Sequence, residues 1–484
     1  MTRHAGFVAA SIWVFGLCGC MVGPKYKPPT PPAPPAFKEA LPDGITQETW
    51  SPGNPADQTN RGRWWKIFND PQLDDLEDQL NVNNQNLLVA EARLRQARAA
   101  IRYNRAAQFP TIGIAPGLGE ERYSANTPYF NKALVNNGTG IFTFPLEFSY
   151  EADLWGRIRR SVNSAKEEAQ ATAGDLETAR LSLHAELARD YFEVRSTDLQ
   201  KGLLDQTVEA YDRAEKLTEA RYRGGASPRA EVEQAKTQLA SAKAQDTDIA
   251  ELRGNYEHAI AVLIGKAPEE FSLEAQMQYE LRTPNVPIGV ATTLLQRRPD
   301  VASAERRVAQ ANNQIGIAKS AYYPTVTIGA SAGLEGTSVK NWFTWPSRLW
   351  AVGPNISETI FDGGRRRAVS ESATANYDAT VSIYRQNSLT AFQEVEDSLN
   401  ALGVLQREAV QQDEATAAAE RARDLFLKRY KDGVDTYLQV VTSQTTALQN
   451  ERNGIDIRRR QIEASVLLVK AVGGGWDQTQ LPNF

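Results

Sequence analysis

The side chains that could carry out catalytic chemistry are sparse in this chain. Its 484 residues include three histidines, and the first, His4, lies in a stretch that we expect to be removed. His184 and His258 each fall inside a helical pattern, where a single histidine is usually a surface or core residue. No serine–histidine–aspartate order, metal-ligand cluster or glycosidase-like carboxylate pair stands out. We therefore expect neither an enzyme nor a bound metal or cofactor.

A motif of arginine, tyrosine and glycine that occurs twice is more informative. Two equal segments precede it, because 156–225 and 364–433 each run from one glycine to another over the same number of residues. Glycine is the residue that most often ends a helix in the left-handed conformation, so each copy predicts a helix that turns back. The two copies indicate a duplicated unit. They consist of Arg221, Tyr222 and Gly225, and of Arg429, Tyr430 and Gly433.

Each turn is reached through a long helical segment without proline. The segments 157–222 and 365–430 would each be roughly 100 Å long as helices. After each turn the chain would return as a second helix, over 228–264 and 435–472. Such length favours coiled-coil packing. The apolar stripe of the first long segment recurs every three or four residues and consists of Leu176, Ala179, Leu183, Leu187, Tyr191 and Val194.

Alternating apolar and polar residues replace the helical period after Pro110 and after Pro324. This period predicts two β-hairpins, at about 110–154 and 324–361, typical of transmembrane barrel strands. A helical segment from Leu73 to Gln108 precedes the first hairpin. Four strands cannot close a membrane barrel, so several chains must contribute. Two chains would supply eight strands and three would supply twelve, and the residues alone leave both open.

The N-terminus indicates export and attachment to a membrane. Residues 1–19 have the basic start and short apolar run of a signal peptide. The sequence around Cys20 resembles a bacterial lipobox, which implies lipidation of Cys20; an ordinary signal peptide is the alternative. Met21 after the cysteine, in place of aspartate, favours the outer membrane. The proline-rich stretch 20–60 predicts an extended tether, and the net charge of −5 gives no nucleic-acid footprint.

Several motifs, taken in order along the chain, carry a family resemblance. The whole mature chain resembles the outer-membrane efflux proteins, which are TolC-like outer-membrane factors, and is most similar to their NodT-type lipoprotein branch. Two repeats, 61–264 and 299–472, would flank a connector at 265–298 and precede a tail at 473–484. The motifs are Cys20–Tyr26, Trp64–Trp65, Phe68–Leu73, Arg298–Asp300, Ala321–Pro324, Phe361–Arg365 and Val469–Asp477.

The resemblance implies a mixed α and β fold and a homotrimer. Three chains would form a twelve-stranded transmembrane β-barrel, continuous with a long periplasmic α-helical barrel and a mixed equatorial belt. The expected partners are outer-membrane lipid, a periplasmic membrane-fusion adaptor and an inner-membrane transporter of the resistance-nodulation-division class. The chain would be a passive exit duct for small molecules, without a cofactor and without nucleic acid. No motif specifies the transported substrate.

The resemblance also places the two turns at the periplasmic end, where the family closes its duct. Thr442 and Gln439 stand where many relatives carry aspartates, so we expect no acidic ring at that depth. Exposed ion pairs are individually weak, which suits a lock that partners must open. The expected gate residues are Tyr430, Asp435, Arg429, Glu231, Tyr222 and Arg221.

Two other interpretations compete with an efflux duct. One is the outer-membrane duct of a type I protein-secretion system, which would use the same architecture with an ATP-driven exporter. The other is a structural coiled-coil lipoprotein. The second accounts for the long helices, but it leaves the duplicated membrane-like hairpins without a purpose.

Overall fold

The computed structural model describes residues 21–31, 36–39, 63–122, 124, 126, 138–286, 294–475 and 481–484. The predicted signal peptide, Cys20 and much of the proline-rich stretch lie outside these residues, so lipidation of Cys20 stays a prediction. None of the helices in the described part of the chain is both long and apolar enough to cross a bilayer.

Two helical hairpins of identical size form most of the molecule. The long helices α3 (Arg157–Arg223) and α6 (Arg365–Lys431) each have 67 residues. The return helices α4 (Arg229–Leu263) and α7 (Tyr437–Ala471) each have 35 residues. Each return helix packs against its own long helix, and α7 also packs against α3, which joins the two hairpins side by side. Because each residue adds 1.5 Å, each long helix extends roughly 100 Å.

A shorter helix continues the line of each return helix. Helix α2 (Gln85–Ala106) starts where α4 ends, and α5 (Pro299–Ser320) starts where α7 ends. The Asn84 side-chain amide donates to the Leu263 carbonyl at 2.8 Å. In the second repeat the Arg298 guanidinium donates to the Ala471 carbonyl at 3.1 Å. These bonds satisfy carbonyl groups that the end of a helix leaves without partners.

The predicted helical segment from Leu73 to Gln108 consists of two helices. Helix α1 (Pro71–Asn83) ends at an extended residue, Asn84, and α2 begins directly after it. The Asn84 side chain accepts a hydrogen bond from the Leu87 amide at 2.9 Å, which caps α2. Asparagine side chains compete with the helical backbone for hydrogen bonds, and here that competition breaks the helix.

One antiparallel sheet combines the two predicted hairpins. Strands β1 (Thr111–Ile114) and β2 (Gly117–Glu121) both pair with β3 (Thr139–Ala152), so the first predicted strand is interrupted. Pro116 lies in the gap, and proline has no N–H group for a ladder. Strand β3 also pairs with β4 (Thr325–Gly336), which pairs with β5 (Arg348–Ser357). Within the described residues, β1, β2 and β5 are edges with one paired side each.

The hydrophobic core lies where α1 and α2 cover the middle of α3. Trp65 stacks on His184, with ring centroids 4.4 Å apart. Burial lowers the pKa of His184 to about 3 and raises the pKa of Glu77, its hydrogen-bond partner. Burial thus disfavours the charged form of both groups. The other ring nitrogen, Nε2, lies 3.1 Å from the Asn81 side-chain oxygen. His184 is thus a satisfied core residue.

The start of the predicted tether lies against the body of the molecule. The Val22 amide donates to the Trp155 carbonyl at 3.1 Å, and the Arg160 guanidinium donates to the Val22 carbonyl at 2.6 Å. Arg160 also donates to the Pro24 carbonyl at 3.1 Å. An extended segment without internal hydrogen bonds has free carbonyl groups, and Arg160 binds two of them.

We predict that Gly433→Ala loosens the second helical turn. Gly433 has a φ of 77°, where an added Cβ costs about 1–2 kcal/mol. No neighbour lies closer than 3.9 Å to that Cβ, so the cost is conformational. Amide hydrogen exchange in residues 429–437 should accelerate by about fivefold to thirtyfold. Gly254→Ala, inside α4 with open space around the added Cβ, should leave amide exchange unchanged or slow it. If both variants slowed amide exchange, that result would contradict the account.

Candidate gate at the helical turns

The two helical turns have the same backbone geometry. Gly225 and Gly433 adopt φ values of 73° and 77°. The amide after each glycine donates to the carbonyl of the motif arginine, at 2.8 Å for Ala226 and 2.9 Å for Val434. Each glycine amide donates to the carbonyl of the motif tyrosine, which completes a Schellman motif. The repeated arginine, tyrosine and glycine therefore occupy equivalent backbone positions in the two turns.

Tyr430 links the two hairpins through Glu231, which lies in the first turn of α4. The Tyr430 side chain is only 2% exposed. Its hydroxyl donates to one carboxylate oxygen of Glu231 at 3.2 Å. The other oxygen accepts from the Tyr437 backbone amide at 3.5 Å. One carboxylate of the first hairpin thus holds both sides of the second turn.

Arg221 makes a second link between the hairpins. Its guanidinium donates to the Tyr430 backbone carbonyl at 2.7 Å and lies 4.6 Å from the centroid of the Tyr430 ring. The carbonyl belongs to the last turn of α6 and also accepts from the Gly433 amide. The C-terminal end of a helix favours a nearby cation. The ring contact adds a cation–π attraction. Arg221 and Glu231 therefore grip Tyr430 from two directions.

Electrostatics keeps Tyr430 in its donating form. Burial raises the pKa of the Tyr430 hydroxyl above its ordinary value of 10.0, and the nearby Glu231 carboxylate raises it further. The hydroxyl consequently remains protonated at neutral pH. A charge-assisted hydrogen bond from tyrosine to carboxylate is then the stable arrangement.

Asp435 and Arg429 form a pair within the second turn instead of between hairpins. The Arg429 Nε and Nη2 atoms donate to the two Asp435 oxygens at 2.5 and 3.2 Å. This fork lowers the pKa of Asp435 below its ordinary value of 3.8. The structure therefore assigns Arg429, and not Arg221, as the cation beside Asp435.

Tyr222, the repeat equivalent of Tyr430, is placed differently. Its side chain is 41% exposed, and no hydrogen bond, ion pair or ring contact joins it to another expected gate residue in the described part of the chain. Gln439 and Thr442 lie in the first two turns of α7. They line a cavity of about 200 Å³ between α6 and α7. All described lining residues of that cavity are uncharged: Ala419, Ala422, Phe426, Gln439, Thr442, Ser443 and Thr446.

Sequence reasoning missed Tyr437. Its ring is buried, and its centroid lies 5.4 Å from that of Tyr430. The cluster that it forms with Ala214, Ala235, Tyr430 and Val440 is separate from the main core. A tyrosine on each side of the turn glycine was the available signal. Among the described residues, no group of three or more histidine, cysteine, aspartate or glutamate side chains could hold a metal ion.

Comparisons with known proteins cover almost the whole chain. The model of the family described as outer membrane efflux protein matches residues 76–266 and 290–474. The chain is 30% identical over 423 residues to the pyoverdine export outer membrane protein OpmQ of Pseudomonas aeruginosa, covering 87% of this chain and 89% of that one.

Two further similarities agree with the family match. The solvent efflux pump outer membrane protein SrpC of Pseudomonas putida is 30% identical over 470 residues, covering 96% of this chain and 97% of its own length. The solved structure of the outer-membrane channel OprN superposes with a TM-score of 0.82 at 28% identity. That superposition covers 94% of this chain and 100% of OprN.

We predict a one-sided pH dependence for the second turn. Because the folded-state pKa of Asp435 is lowered, the stabilisation is complete from about pH 5 upward. It is lost as the pH falls below 3.8, through the folded-state pKa. Hydrogen exchange of residues 429–437 should be faster in Asp435→Asn than in the unchanged protein at pH 5–8, and the difference should vanish at the acid end. An equal difference at every pH would contradict the pairing with Arg429.

Proposed function

The chain belongs to the outer membrane efflux protein family, and we propose that three copies of it form the gated exit duct of a tripartite efflux system. It is an outer-membrane efflux channel protein with a long periplasmic helical extension. The proposal adds the homotrimer, the residues of the gate and the class of partners.

The open sheet is the observation that carries the trimer. Its edge strands have unpaired backbone groups on one side, and exposed apolar residues such as Ile112, Leu118, Trp350 and Val352 lie along β1, β2 and β5. Unpaired N–H and C=O groups cost several kcal/mol each in hydrocarbon, where nothing else can hydrogen-bond to them. Pairing β5 of one copy with the β1 and β2 edge of the next removes both edges. If β1 and β2 are counted as one interrupted strand, three copies would give the twelve strands that the family resemblance implies.

The gate in this proposal is the contact between the two hairpins at the periplasmic turns. The Tyr430 hydroxyl donates to Glu231, and the Tyr430 backbone carbonyl accepts from Arg221. These three residues hold the second turn against the first hairpin. Arg429 and Asp435 keep the second turn in the shape that presents Tyr430. Opening would separate Tyr430 from Glu231 and Arg221 while each hairpin stays folded.

The strength of these links suits reversible opening. A hydrogen bond to a charged group contributes about 1.5–3 kcal/mol to stability. Three copies in a trimer would hold the duct closed against thermal motion. The differential binding energy of a protein partner can offset an energy of this size. The partners we propose are a periplasmic membrane-fusion adaptor and an inner-membrane transporter of the resistance-nodulation-division class.

The cargo that we propose is small molecules. Two relatives, OpmQ and SrpC, are named for pyoverdine export and solvent efflux, which are both tasks for small compounds. A duct for type I protein secretion is the alternative within transport. The helical turns carry no group that distinguishes the two, so the partner decides.

We predict that breaking the gate raises conductance through the closed duct. The full chain, reconstituted in planar bilayers, should form pores with a low resting single-channel conductance. Tyr430→Phe combined with Asp435→Ala should raise that conductance severalfold, because it removes the Glu231 bond and the support of the turn. Unchanged conductance would refute the gate, and absence of any pore would refute the duct.

Two matched substitutions test whether position or chemistry matters. Tyr222→Phe removes the same hydroxyl from the equivalent turn, where the side chain is exposed. Asp432→Ala removes an exposed carboxylate from the second turn itself. This control pair should leave the resting conductance unchanged. An equal rise in the control would mean that loss of any polar group at the tip opens the pore.

We also predict which class of partner co-purifies with the full chain. Cross-linking in cells, followed by purification of the full chain, should retain an adaptor together with a proton-driven inner-membrane transporter. Recovery of an ATP-driven exporter in its place would favour the protein-secretion alternative.

A further inference from the structure

The junction between the sheet and the helices brings four chain segments to one level. Strands β1 and β4 start there and β3 and β5 end there, because Thr111 pairs with Ser149 and Thr325 pairs with Ser357. The end of α2, the start of α3, the end of α5 and the start of α6 therefore lie side by side. The Trp155 indole N–H donates to the Pro324 carbonyl at 2.8 Å across this level.

Positive charge dominates this junction in a chain whose net charge is −5. Each of the segments 102–109, 151–160, 319–324 and 358–367 carries more basic than acidic residues. Some of the arginines have carboxylate partners: Arg157 with Glu151, Arg159 with Asp153, Arg366 with Asp362 and Arg367 with Glu371.

Four exposed cations at the junction have no such partner. Arg102, Arg105, Lys319 and Arg365 are all exposed. None of them forms an ion pair with another described residue, although most arginines of the body do. In the proposed trimer, the β1 edge of one copy meets the β5 edge of the next. Arg102 and Arg105 would then lie beside Arg365 of the neighbour, and such a group of like charges favours an anion.

Exposed aromatic and aliphatic side chains mark the same level. Tyr103 is 81% exposed and Phe361 is 87% exposed, and each lies within four residues of an unpaired arginine. Phe109 and Ile360 are exposed as well. Aromatic side chains collect at the boundary between hydrocarbon and headgroups, and arginines extend from there toward the headgroups.

The N-terminal segment gives an independent measure of where the membrane surface lies. Met21 packs on Gly156, whose added Cβ would come within 3.1 Å of the Met21 Cα atom. The Val22 amide is fixed on the Trp155 carbonyl. The predicted lipidation site, Cys20, directly precedes Met21 in the chain, and consecutive Cα atoms lie about 3.8 Å apart. A lipid attached there would enter the bilayer at the level of the unpaired cations.

We propose that the junction binds the phosphate groups of anionic phospholipids in the leaflet that faces the helices. Arg102, Arg105 and Arg365 donate hydrogen bonds to the phosphate oxygens, while Tyr103 and Phe361 pack at the glycerol level. Arginine suits this task because its planar fork matches phosphate. The site rests on the proposed function, which places the sheet in a bilayer and the β1 edge of one copy beside the β5 edge of the next.

The test compares lipid binding by matched variants of the full chain. Delipidated protein in neutral detergent is titrated with phosphatidylglycerol or with phosphatidylcholine of the same acyl chains, and bound lipid is counted by native mass spectrometry. The unchanged protein should prefer phosphatidylglycerol. Arg102→Gln, Arg105→Gln and Arg365→Gln together should weaken phosphatidylglycerol binding by about fivefold per arginine and leave phosphatidylcholine binding unchanged.

The control removes the same charge elsewhere. Arg385, Arg407 and Arg421 are exposed helical arginines far along α6 from the junction, and their combined change to glutamine should keep the preference. Equal loss in both variants, or no loss in the first, would overturn the site. Displacement of phosphatidylglycerol by equimolar inorganic phosphate would also overturn it, because that result indicates a general anion site.

Folding and function are monitored separately. If the triple variant does not assemble, Arg365→Gln alone should still show the fivefold loss, and an unchanged preference would count against the site. Both sets of variants should conduct normally in phosphatidylcholine bilayers. If the unchanged protein prefers phosphatidylglycerol but does not conduct, that result would contradict the duct and not the lipid site.

Discussion

Equal helix length is the constraint on which the rest of the structure depends. A helix advances a fixed 1.5 Å per residue, so α3 and α6, with 67 residues each, reach the same level from a common origin at the sheet. Only for that reason can Arg221, at the end of α3, meet the Tyr430 carbonyl at the end of α6. An insertion of a few residues in one arm would move one turn past the other and separate these groups.

The contrast between the middle of the molecule and its tip explains where it can move. In the middle, Arg195 and Asp198 are fully buried, and Asp198 also accepts from Arg253 at 2.7 Å. Removing one member of such a buried network typically costs about 3–5 kcal/mol. At the tip, where the two helical turns lie, the small cluster around Tyr430 is separate from the main core. Motion that breaks the contacts around Tyr430 would leave the buried network intact, which supports the proposal that opening occurs at the turns.

The sequence predicted the repeated architecture because its signals are local. Glycine at the left-handed positions 225 and 433, proline before the first strand of each hairpin and the change of period from helix to strand are all decided within a few residues. Relations between distant residues were not accessible in this way. Asn84 breaks a helix by capping it and by binding Leu263, a residue from another helix. No window of sequence around Asn84 contains that partner.

The candidate gate shows the same division. The motif identified Arg221 and Tyr430, the family resemblance added Glu231, and the structure brings these three together. The repeat also suggested that Tyr222 and Tyr430 are alike, yet one is exposed and the other buried. Their difference depends on which hairpin lies beside each turn, and that is set by packing between helices. Tyr437 escaped notice because its partner, Glu231, is 206 residues away.

The central claim, that the duct opens by separation of the two hairpins, is tested most directly by joining them reversibly. The chain has no cysteine after Cys20, and Gln238 on α4 lies beside Thr445 on α7, with their side chains hydrogen-bonded at 2.9 Å. Gln238→Cys and Thr445→Cys would be linked by a short, reducible thiol cross-linker, and efflux by cells would be measured. The account predicts that efflux stops when the link forms and returns on reduction. Efflux that continues at the same rate through the linked protein would contradict it.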